Sequence, residues 1–146
     1  MLKRKLQKAI DTEAVLAAIR EAETATSGEI RVSISPFFWG NIRKAAEKAF
    51  SRMGMTTTSQ HNGILFFIIP GRRQFVILGD QGIHEKVGQE FWEHLAAAMS
   101  GHFKHKDFTA GLLAGIKEAG DQLSRHFPYD AQSDVNELPD AIDLGK

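Results

Sequence analysis

The chain has 146 residues, 18 Lys plus Arg, 18 Asp plus Glu, and no cysteine. That length fits one domain, and 42% hydrophobic residues supply one core without staples. The missing cysteine excludes disulfides, Cys-ligated zinc, iron–sulfur clusters and thiol nucleophiles. Zero net charge argues against a nucleic-acid partner held by bulk charge.

The zero is unevenly built. Residues 1–127 hold 17 basic and 13 acidic side chains. Residues 128–146 hold Asp130, Asp134, Glu137, Asp140 and Asp143 against Lys146 alone. Two prolines and no apolar period mark this tail as loosely ordered, which divides the chain into a domain over 1–127 and an acidic tail over 128–146. Lys3, Arg4 and Lys5 open the chain, but Asp11 and Glu13 stand where a leader's apolar stretch would run. The longest apolar run, Ile64 to Ile69, falls well short of the roughly 20 residues that span a bilayer. A soluble, cytoplasmic protein is the expectation.

A first helix is expected over about 12–25, capped by Asp11 or Thr12, with Val15, Ala18, Ile19 and Ala22 on one stripe. Leu2, Leu6 and Ile10 extend it backwards. Strand 1 covers Glu29 to Ser35, where Ile30, Val32 and Ile34 alternate with Arg31 and Ser33. The Phe37-Phe38-Trp39 loop follows. A second helix covers about 41–53, with Ile42, Ala45, Ala46, Ala49, Phe50 and Met53 at helical spacing. Strand 2, Gly63 to Ile69, is continuously apolar and therefore central. Pro70 to Arg73 turns the chain into strand 3, Gln74 to Leu78, and makes an antiparallel hairpin. A third helix over about 83–99 carries Val87, Phe91, Leu95 and Met99. After a link from Ser100 to Lys106, a fourth runs over about 107–125, capped by Asp107. Its Gly111 and Gly115 read as close-packing positions. The order αβαββαα describes an α/β fold, a small mixed sheet flanked by helices, with strand 1, helix and strand 2 as a right-handed βαβ unit.

Strand direction sorts the loops into two ends. The lower end gathers the start of strand 1, the start of strand 2 and the end of strand 3. Glu29, Asn62 and Asp80 meet there, hard oxygen donors suited to Ca²⁺ or Mg²⁺. His84 is the candidate acid/base beside them. The same residues have structural readings: Asp80 as a helix cap, Asn62-Gly63 as a turn, Glu29 paired with Arg31 or Lys86. The Gly79-x-x-Gly82 spacing resembles a phosphate cradle, but Asp80 inside it would repel an anion. The upper end gathers Arg72, Arg73, His102, His105 and Trp39. The lysines around the histidines disfavour a cation, so this end suits an anion or a partner surface. Catalytic templates are absent: there is no Walker loop, Gly-x-Ser-x-Gly elbow or His-Glu-x-x-His pair.

Thr26-Ser27-Gly28-Glu29-Ile30-Arg31-Val32, Asn62-Gly63-Ile64-Leu65, Gly79-Asp80-Gln81-Gly82-Ile83 and Phe108-x-x-Gly111-Leu112-x-x-Gly115-Ile116, in this order, resemble the TPM domain family over about residues 5–127. The resemblance implies a mixed sheet flanked by helices. The family includes a thylakoid lumen protein described as an acid phosphatase and linked to photosystem II repair, a receptor-modulating membrane protein, and many bacterial proteins. Calcium binding in some members implies a role for Glu29, Asn62, Asp80 and Gly82. Many members carry a leader and a C-terminal membrane segment, and neither pattern is present here. Three functions follow as expectations. The first is a non-catalytic binding or accessory module that holds Ca²⁺ or Mg²⁺ at the lower loops. The second is a metal-dependent phosphatase acting on phosphomonoesters. The third is peripheral contact with anionic membrane through the basic end and Trp39.

Overall fold

A computed structural model describes residues 10–58, 60–129 and 142–144. Its elements are α1 (Thr12–Glu23), β1 (Glu29–Ile34), α2 (Ile42–Arg52), β2 (Gly63–Ile69), β3 (Gln74–Gly79), α3 (Gln81–His84), α4 (Gln89–Lys104) and α5 (Phe108–His126). One-turn 3₁₀ segments at Met55–Thr57 and Pro70–Arg72 lead into and out of β2.

The sheet order is β1-β2-β3. β1 and β2 are parallel, in register from Glu29↔Gly63 to Ile34↔Ile68. β3 is antiparallel to β2, from Ile64↔Gly79 to Ile69↔Gln74. β2 is central because every one of its residues is apolar or glycine, so it loses nothing when both faces are covered. Its side chains divide by period two. Ile64, Phe66 and Ile68 join Ile30, Val32 and Ile34 in a large core under α1, α4 and α5. Leu65, Phe67 and Ile69 join Ala46, Ala49 and Phe50 of α2 in a smaller one. The result is three layers, with the sheet in the middle.

Local chemistry sets the helix limits. Asp11 caps α1 through its side chain, and Asn41 and Asp107 do the same for α2 and α5. Gly115 lets α5 press against α4, since a methyl there would stand 2.7 Å from the Met99 sulfur. Two expectations need correction. The helix expected over 83–99 is two helices, with the chain leaving α3 at Glu85 and re-entering α4 through Gly88. Helix α4 then continues to Lys104, so the link to α5 is shorter than Ser100 to Lys106. The extension through Leu2 and Leu6 lies outside the described residues.

β1 is buried along its whole length, including the polar Glu29, Arg31 and Ser33. An edge strand with three polar residues would ordinarily face water. Here its outer edge is covered by residues 142–144: Asp143 donates its N–H to the Val32 carbonyl and accepts from the Ile34 N–H. The rest of the acidic tail, 130–141 and 145–146, lies outside the described residues.

Candidate functional site

The strand register brings the lower loops together. The Glu29 N–H donates to the Asn62 carbonyl at 3.3 Å, and the Asp80 N–H donates to the Gly63 carbonyl at 3.0 Å. Glu29, Asn62 and Asp80 thus share one end of the sheet through their backbones.

Their side chains take separate partners. The buried Glu29 carboxylate lies 3.2 Å from the Arg31 guanidinium, which also meets Glu23 at 2.8 Å. Arg31 itself is 1% exposed, so this is an interior ion cluster bounding β1. The Asn62 amide donates to the Ser27 hydroxyl at 3.4 Å. Asp80 accepts from the Gln81 N–H at 2.8 Å as the cap of α3, and its second oxygen is 3.1 Å from His61 Nδ1. Of the three, Asp80 is the one whose carboxylate belongs to the loop surface.

Two more residues shape this end: His61, outside the sequence-derived set, and Gly82, which the resemblance singled out. His61 holds a left-handed backbone at φ 50°, unusual for a residue with a side chain. Gly82 accepts the turn that results: a Cβ there would stand 2.2 Å from the Gln60 carbonyl oxygen and 2.7 Å from that of His61. Only glycine allows the start of α3 to pack on these carbonyls. The same oxygens make Gly79-x-x-Gly82 a poor anion cradle, since an anion there would meet carbonyls and the Asp80 carboxylate. The His61-Asn62-Gly63 run carried the signal for this turn, but a left-handed non-glycine residue gives no sequence pattern of its own.

Among the described residues, no three His, Cys, Asp or Glu side chains come together as a metal-ligand set. A cation at Asp80 would therefore draw on backbone carbonyls and water as well as the carboxylate, a donor mixture that Ca²⁺ accepts more readily than Mg²⁺. His84 stands apart. Its ring lies 5.0 Å from that of Trp92, in a groove of about 470 Å³ along β3 that is also lined by Arg43, Phe75, Ile77 and Glu93.

The opposite end carries the basic and aromatic residues. Arg72 donates to the carbonyls of Phe38 at 3.3 Å and Gly40 at 3.0 Å, and lies over the Phe38 ring. It therefore pins the loop after β1. That loop presents Trp39, 90% exposed, edge-on to Phe37 at 4.9 Å between ring centres. Arg73 is exposed in a left-handed turn beside it. His102 and His105 are exposed at the C-terminal end of α4. Phe103 of the same turn packs on Phe75 near the start of β3, so these histidines share the Arg72 end. No helix among the described residues is long and apolar enough to cross a membrane.

The comparisons with known proteins agree with this architecture. No curated protein matches the chain. The solution structure of the BA42 protein from the psychrophilic bacterium Bizionia argentinensis is 35% identical, with 95% of this chain and 94% of that one covered at a TM-score of 0.87. The N-terminal domain of the cg2496 protein from Corynebacterium glutamicum is 18% identical, with 76% and 70% covered at 0.60. An N-terminal domain from P. gingivalis is 16% identical, with 76% and 72% covered at 0.63. The last two show the fold alone. The model of the TPM domain matches residues 5–122, the span holding the whole sheet and its loop ends, and the chain belongs to the TPM domain family.

Proposed function

We propose that this chain is a non-catalytic binding or accessory module that takes a divalent cation, Ca²⁺ in preference to Mg²⁺, at the Asp80 end of the sheet. The observation that carries the reading is the strand register, which sets the Asp80 carboxylate at the same sheet end as Asn62 and the backbone carbonyls of residues 60–63. It gathers oxygen donors of the kind Ca²⁺ uses, at a point where three strand ends hold the backbone in place. Asn62 and Glu29 serve this end by position: one accepts from the other's backbone, and Arg31 fixes the Glu29 side chain. With one carboxylate in the set, affinity belongs in the weak range, about 10⁻⁴–10⁻³ M. Binding is favoured over phosphomonoester hydrolysis because the chain carries no recognised nucleophile or reaction template around Asp80, and the His84 ring lies towards Trp92. Turnover of a model phosphate ester separates the two: the module reading expects none, and turnover lost in Asp80→Asn would establish the phosphatase.

The second reading, peripheral contact with anionic membrane at the opposite end, is favoured by the 90% exposure of Trp39 on a loop pinned by Arg72. An exposed indole flanked by cations suits a headgroup interface.

A further inference from the structure

We propose that the outer edge of β1 is a peptide-docking site for an extended apolar–Asp–apolar tripeptide, filled here by the chain's own Ile142-Asp143-Leu144 and open to the same pattern on a separate peptide. The backbone of Asp143 completes a parallel pairing with β1, giving its N–H to Val32 and accepting from Ile34 at 2.7 Å. The side chains alternate as a strand requires. Ile142 and Leu144 pack on the large core, while Asp143 turns to the α2 face. There its carboxylate accepts from the Ser33 hydroxyl at 2.6 Å and pairs with the Arg52 guanidinium at the end of α2.

Ser33 makes this a built site. With the segment in place it is 0% exposed, and a hydroxyl so covered requires a partner. Asp143 supplies one and at the same time neutralises Arg52. A basic or apolar residue at this place would satisfy neither, and a neutral amide would leave the Arg52 charge without its partner. The main-chain pairing provides affinity and the Ser33–Arg52 pocket provides selectivity, as in strand addition to an exposed sheet edge. Residues 130–141 tether the native segment, so its effective concentration is high, and a free peptide competes poorly until the segment is weakened.

Amide exchange in full-length chains tests the proposal. In Asp143→Lys the Ile34 amide should exchange faster by about tenfold or more, while the Ile30 amide, held by Glu23, is unchanged. A peptide of residues 139–146 should then restore Ile34 protection, and the same peptide carrying Lys at 143 should not. Unchanged Ile34 exchange, or equal action of the two peptides, would overturn the proposal. Arg52→Gln, a half-exposed surface change, should accelerate Ile34 exchange in the same direction; no acceleration in it would also count against the site.

Discussion

Arg31 sits inside the molecule between two carboxylates, Glu23 and Glu29, at 2.8 and 3.2 Å. The pairing of Glu29 with Arg31 was one of the readings open in the sequence, because residues two apart on a strand share a face. The contribution of Glu23 was not legible, since it depends on how the end of α1 packs over β1. Removing a charge from such a cluster is costlier than the cluster's net worth, because the remaining charges keep their desolvation cost. Arg31→Met should therefore destabilise the fold by about 3–5 kcal/mol, read from urea unfolding. Gly82 makes the complementary case. Its resemblance to a phosphate-cradle glycine was visible, but its task is to admit the Gln60 and His61 carbonyls. Gly82→Ala should cost about 1–3 kcal/mol, and it should shift the amides of residues 60–63 and 80–84 in an NMR spectrum while leaving α5 in place.

Elements were legible where local chemistry decides them. The β2 run of Gly63 to Ile69 and the Asp107 cap are written in neighbouring residues, and both stand where expected. The break between α3 and α4 was not, because the Val87, Phe91, Leu95, Met99 stripe continues the helical period across Gly88. A stripe reports which side faces the core, not whether the backbone bonds are continuous. The chain breaks there because Asp80 starts a short turn packed on the Gln60 and His61 carbonyls, and α4 starts afresh after Gly88 to bury its own Phe91, Leu95, Met99 and Phe103. Caps and close-packing glycines give the tests at this scale. Asn41→Ala should lower stability by about 1 kcal/mol through loss of its bond to the Lys44 N–H. Gly115→Ala should cost about 1–3 kcal/mol, since its methyl must displace Met99, and thermal unfolding of the two variants checks both.

Across the whole molecule, zero net charge conceals a basic body and an acidic tail. Helix α5 delivers the chain to the lower end, where the Phe127 carbonyl accepts from Ser27, and residues 142–144 lie higher, along β1. The Asp143–Arg52 pair, 91 positions apart in sequence, is a place where the two charge groups meet. Nothing local in the sequence announces it: a three-residue segment at the end of a polar stretch carries no period long enough to read as a strand. The upper end keeps its exposed cations and Trp39. If it contacts anionic membrane, Trp39→Ala should reduce co-sedimentation with anionic vesicles several-fold, and salt should weaken what remains.

Cation binding at the lower end is tested most directly by NMR titration of the ¹⁵N-labelled full chain with Ca²⁺. Saturable shifts are expected in the amides of residues 60–63 and 79–85, weaker with Mg²⁺ and lost in Asp80→Asn. Shifts confined to other residues, no shifts in the millimolar range, or an Asp80→Asn chain that responds like the native one would contradict it.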